Sequence, residues 1–221
     1  MIENLLHPRL IENKDWATLV FVVAFALIAL TKSLFENRFS EFSKLIFSSK
    51  YLKVYKDSGQ SLSWFNVILF FVQLISLSFL IQIIASNQGI LAKNDGITYI
   101  RIVTFLGVFI LSKYLIDKII AAVFNIEEFS EQFNMQKLSY RTYISVMALP
   151  IIVFLYYNTT IPTSFLFLFL LLILLINSIT YLKSLKNYQN LIFGKLFYFI
   201  LYLCALEIAP FYFLYYWFTK S

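Results

Sequence analysis

Hydrophobic positions along this chain fall in long unbroken blocks. They do not alternate as in a half-buried strand. The blocks cover residues 16–34, 64–85, 97–123, 143–157, 161–182 and 196–218. Most approach the ~20 residues needed to cross roughly 30 Å of hydrocarbon. Block 97–123 is long enough to tilt, whereas 143–157 is short unless residues 138–142 extend it. The pattern predicts an all-α polytopic transmembrane helical bundle of about six spans, a single integral membrane domain over residues 1–221.

The links are short and carry their own patterns. After the first block, Phe35, Phe39, Phe42 and Ile46 recur at helical spacing, with Glu36, Arg38, Ser40, Glu41, Ser43 and Lys44 on the other face. This predicts a short amphipathic interfacial helix whose aromatic side lies in the acyl boundary. Lys50, Lys53 and Lys56 follow at intervals of three, a candidate contact for anionic lipid or a partner. The plainer reading makes them orientation charge. The link before the fourth block repeats the style with Phe129 and Phe133 beside Glu127, Glu128 and Glu131. Two acids on one helix face are too few ligands for a metal site. The turn at 158–163 (NTTIPT) makes the fourth and fifth blocks an antiparallel hairpin.

Composition supports a membrane protein. The chain is 60% hydrophobic and 14% charged, against roughly 25% charged in soluble domains. The formal charge of +6 reads as loop charge, not as a nucleic-acid footprint. Basic residues near the first, third and fifth links number thirteen: Lys32 to Lys56, then Lys113, Lys118, Lys137 and Arg141, then Lys183, Lys186 and Lys195. The other side holds five: Arg9, Lys14, Lys93, Arg101 and Lys220. The richer side is expected in the cytoplasm. Both termini would then face the periplasm of a bacterial inner membrane. Glu3, Glu12 and Asp15 near the start argue for a retained first span over a cleaved signal peptide.

The chemistry on offer is sparse. One cysteine, Cys204, excludes an internal disulfide, and one histidine, His7, cannot build a His/Cys metal cluster. No motif pairs a nucleophile with a base, and no glycine loop cradles a phosphate. The sequence therefore gives no catalytic, cofactor-binding or metal residues, and no cofactor is expected.

Polar groups at membrane depth are the remaining candidates. Asn66 and Gln73 share a helix face and suit inter-helix hydrogen bonds. Lys113 and Asp117, four apart, can neutralise each other. Arg101 is placed to snorkel. Glu207 is the one charge in block 196–218 and sits at its middle, roughly 16 Å from either end. It either stays protonated, because desolvation raises its pKa, or pairs with a cation, with Lys113 the deepest choice and Arg101 or Arg141 behind it. Pro210 leaves the Leu206 carbonyl without its helical donor and adds a polar spot beside Glu207. Pro150 predicts a comparable break in the fourth span.

The C-terminal FYFILYLCALEIAPF resembles the aromatic-rich Y-L-C-x-L-E-I-x-P ending of the domain of unknown function 4271 family, multi-span membrane proteins largely of Bacteroidota. FSSKYLKVYKD before the second block and the acidic F-x-x-E link are similar in layout. The resemblance covers nearly the whole chain and places Glu207, Cys204 and Pro210 in the motif. It implies a small inner-membrane protein and transfers no catalytic residue.

The expected role is a non-enzymatic component or assembly factor of an envelope membrane complex. Its partners would be the lipid bilayer and another membrane protein or a second copy, with no nucleic acid. A small transporter or proton-coupled carrier using Glu207 is the alternative, and a membrane enzyme acting on lipid is the second.

Overall fold

The computed structural model describes residues 14–45, 51, 63–123, 127–158 and 162–187. Every regular element among them is helical: α1 (Asp15–Leu34), α2 (Glu36–Ser43), α3 (Trp64–Asn87), α4 (Gly96–Val123), α5 (Glu127–Tyr157) and α6 (Thr163–Asn187). All but α2 are long and apolar enough to cross a membrane. These five match the first five blocks closely at most boundaries. The sixth block, with Cys204, Glu207 and Pro210, lies outside the described residues, as do Lys50, Lys53 and Lys56.

Helix α3 is the hub and packs against α1, α4 and α5, while α6 packs on α5. Burial divides the helices accordingly. In their most apolar stretches α3 and α5 are each 56% buried, against 6% for α4 and 11% for α6. Two apolar clusters stack along the bundle. One joins Phe21, Phe79, Tyr99, Ile152 and Tyr156, and is called the Trp16 end below. The other joins Phe42, Tyr51, Phe65, Leu69, Tyr143 and Leu149, the Phe42 end.

The Trp16 end is an aromatic stack closed by a tied loop. Phe79 lies 4.1 Å from Phe21 and 4.4 Å from Tyr99, ring centre to ring centre. The Trp16 indole donates to the Asn94 carbonyl at 3.2 Å. Gln82 donates to the Asp95 carbonyl at 2.9 Å. Gly89, at φ 74°, turns the chain out of α3 in a conformation that side chains with a Cβ disfavour. Asp95 then starts α4: its carboxylate accepts from the Ile97 N–H at 2.9 Å and from the Thr98 hydroxyl.

Three expectations change at the other end. The acidic stretch after α4 is the first turn of α5, not a separate link, so the fourth span is a 31-residue helix. That helix runs on through Pro150 rather than breaking there. A proline removes a single ladder bond, which flanking turns can bridge. The amphipathic helix α2 exists, but its aromatic stripe packs on the bundle instead of lying on lipid. Phe42 is 2% exposed and meets Tyr51, Phe65 and Tyr143 edge to face. Arg38, expected on the polar face, turns inward, its guanidinium 4.7 Å from the Phe65 ring centre. A guanidinium is weakly hydrated and stacks on aromatic rings, so it can share an apolar face.

Candidate functional site

The residues with the most chemical potential form a polar layer where α3, α4 and α5 meet. Such side chains are costly at membrane depth, so their partners decide what they do. Helix α3 supplies Gln73, Ser76 and Ser78, all fully buried. Helix α5 supplies Gln136, Ser139, Thr142 and Ser145, also buried. Thr142 Oγ1 donates to Gln73 Oε1 at 3.0 Å, and Ser76 Oγ to the Ser145 carbonyl at 2.9 Å. Ser145 and Ser139 donate back to their own helix, to the carbonyls of Arg141 and Met135. Gln73 thus links helices as its spacing suggests.

Beside this layer lies a charged group on facing surfaces of α4 and α5. Lys113 and Asp117 come from α4, one turn apart as expected, with Asp117 4% exposed. Lys137 and Arg141 come from α5, also one turn apart. Lys137 interacts electrostatically with Lys113, Asp117 and Arg141, and Lys113 with Asp117 and Arg141. At 1.5 Å per residue, Arg141 lies roughly 24 Å along α5 from Tyr157, and Lys113 roughly 26 Å along α4 from Gly96. The group therefore lies toward the Phe42 end, still within helices of spanning length. Lys113, Lys137 and Arg141 sit in helices and not in a loop.

Two donors in this region have no hydrogen-bond partner among the described residues, Arg141 Nε and Gln73 Nε2, whereas Gln136 hydrogen-bonds the Tyr140 side chain. Each is enclosed. Lys137 and Gln136 were not singled out as site residues from sequence. The available signal was the one-turn spacing of Lys137 and Arg141, matching that of Lys113 and Asp117 on the preceding span.

The other cations are placed differently. Lys93, in the α3–α4 loop, donates to the Leu155 carbonyl at 3.0 Å and the Asn158 carbonyl at 2.7 Å, closing the C-terminal end of α5. Arg101 is exposed near the start of α4, consistent with snorkelling. Glu127 and Glu131 are exposed on the first turns of α5. Outside the spans, the Asp95 carboxyl is held below its usual value, first by the Thr98 hydroxyl, against a smaller opposing effect of burial.

A family model described as Domain of unknown function (DUF4271) matches residues 17–218. No curated protein and no solved structure matches the chain.

Proposed function

Since this chain belongs to the DUF4271 family, we propose from its geometry that it is a non-enzymatic component of a larger membrane complex in a bacterial inner membrane. The partner would be another membrane protein packed along α4. The observation that carries this reading is the outward face of that helix. Arg101, Thr104, Val108 and Ser112 recur there at spacings of three, four and four, and all are exposed. Polar and small side chains at membrane depth suit close helix contact better than acyl chains. Among the described residues, little packs on that face of α4.

The test is a photocrosslinker placed at Val108, exposed on the same face, in native membranes. Attachment to one defined membrane protein, lost in a Thr104→Leu/Ser112→Leu double variant, supports the reading. A monodisperse monomer in mild detergent with no crosslinked product at that face overturns it.

A further inference from the structure

We infer that the partner seated on α4 is a spanning helix of a different protein, with a carboxylate near each membrane boundary. This rests on the complex-component reading and deepens it by naming the chemistry the partner presents.

The outward face of α4 is one continuous seam. From Ile97 to Ala122, exposed residues recur at alternating intervals of four and three, with no buried position among them. A repeat of 3.5 residues lets one helix follow another over its whole length, at a crossing of about 20°. Thr104, Val108, Leu111 and Leu115 fill the middle of the seam, and Arg101 and Lys118 stand toward its two ends. Those cations are 17 residues apart, roughly 26 Å along the helix at 1.5 Å per residue. That is close to the roughly 30 Å of the hydrocarbon layer. The seam itself holds no acid. A helix that matches it therefore needs an acid toward each of its ends.

The charge pattern also selects among occupants. A second copy inserts in the same orientation, so its own seam would set Arg101 against Arg101 and Lys118 against Lys118. Like charges across a seam repel. Residues 196–218 carry a single charge, Glu207, at their middle, with Lys195 and Lys220 beyond their ends. That sequence offers no acid near either end. Asp117, next to Lys118 in the chain, is buried and off the seam. Asp95 precedes the helix and feels Arg101 as the weakest of several influences. Lipid headgroups would satisfy the two cations but not the stretch between them. There the exposed hydroxyls of Thr104 and Ser112 suit a helix better than acyl chains. A carboxylate also pairs with the Arg101 guanidinium through two parallel bonds.

The experiment places a photocrosslinker at Val108 of the full chain in native membranes and reads the attached peptide by mass spectrometry. The otherwise wild-type chain should attach to a spanning helix of a different protein that has Asp or Glu within about two turns of each end. Arg101→Gln/Lys118→Gln should lower the yield about tenfold, the ratio expected for a lost charge-assisted hydrogen bond. Lys32→Gln/Lys44→Gln removes the same charge from exposed positions away from α4 and should leave the yield unchanged. Attachment to a helix without an acid near both ends, or a yield unmoved by Arg101→Gln/Lys118→Gln, overturns the inference and leaves the complex reading standing. Attachment to residues 196–218 or to a second copy overturns it too. Attachment to phospholipid alone, or no product, defeats both readings. The attached peptide is read without either charge variant, so the test holds even if the double variant does not accumulate.

Discussion

Lys93 and Arg141 are both cations set against α5, and their partners could hardly differ more. Lys93 reaches from a loop and donates to two backbone carbonyls at the C-terminal end of that helix. Arg141 projects from the helix itself, and its enclosed Nε finds no acceptor among the described residues. The first cation completes the fold. The second leaves an enclosed donor without an acceptor among the described residues. In an apolar medium the number of internal acceptors decides how much a buried charge adds to stability.

Variants can break or sharpen this contrast. The largest effect is expected away from both cations, in the stack that Lys93 closes. Phe79→Ala empties a fully buried ring site and should cost about 3–5 kcal/mol in unfolding measured in mild detergent. Lys93→Met should cost about 2 kcal/mol in the same assay, since two carbonyls lose a charged donor. A loss below about 0.5 kcal/mol with Lys93→Met would erase the distinction between the two cations. Thr142→Val removes the donor to Gln73 and should cost about 1 kcal/mol.

Asp95 offers a smaller, pH-dependent effect. Its folded pKa lies below its ordinary value of 3.8, so its stabilisation is complete above that value. The stabilisation is lost as pH falls through the lowered folded pKa. Melts between pH 6 and 3 (about one unit below the ordinary aspartate value) should show a decline that Asp95→Ala flattens. Arg141→Leu should have the least effect on stability, since its enclosed Nε has no acceptor to lose among the described residues. Replacing an unaccepted charge by an apolar group is neutral or stabilising. A loss matching that of Lys93→Met would show that Arg141 is also structural.

Much of the bundle was legible because unbroken apolar blocks of spanning length have few other physical outcomes. Block edges at Trp64 and Val123 coincide with helix ends. The start of α5 was harder to read. Glu127, Glu128 and Glu131 look like a solvated link, yet charged residues extend a helix readily once it leaves the hydrocarbon. Arg38 was misplaced because hydrophobic periodicity counts every arginine as polar, whereas its plane stacks on Phe65. The pairing of Lys113 with Asp117 followed from spacing on one helix. Their meeting with Lys137 and Arg141 did not, since which faces of two helices oppose one another is set by packing. Glu207, Pro210 and Cys204 lie outside the described residues, so their part in the protein rests on sequence and family membership.

The two bonds from Lys93 also act as a ruler. They clasp the last turn of α5 at Leu155 and Asn158, on a loop already pinned to Trp16 through Asn94. Sliding α5 by one turn, about 5.4 Å, would carry both carbonyls out of reach. The axial register of the helix is thereby fixed at one end. Because α5 is continuous from Glu127 to Tyr157, the same clasp sets the depth at which Lys137 and Arg141 meet the bilayer.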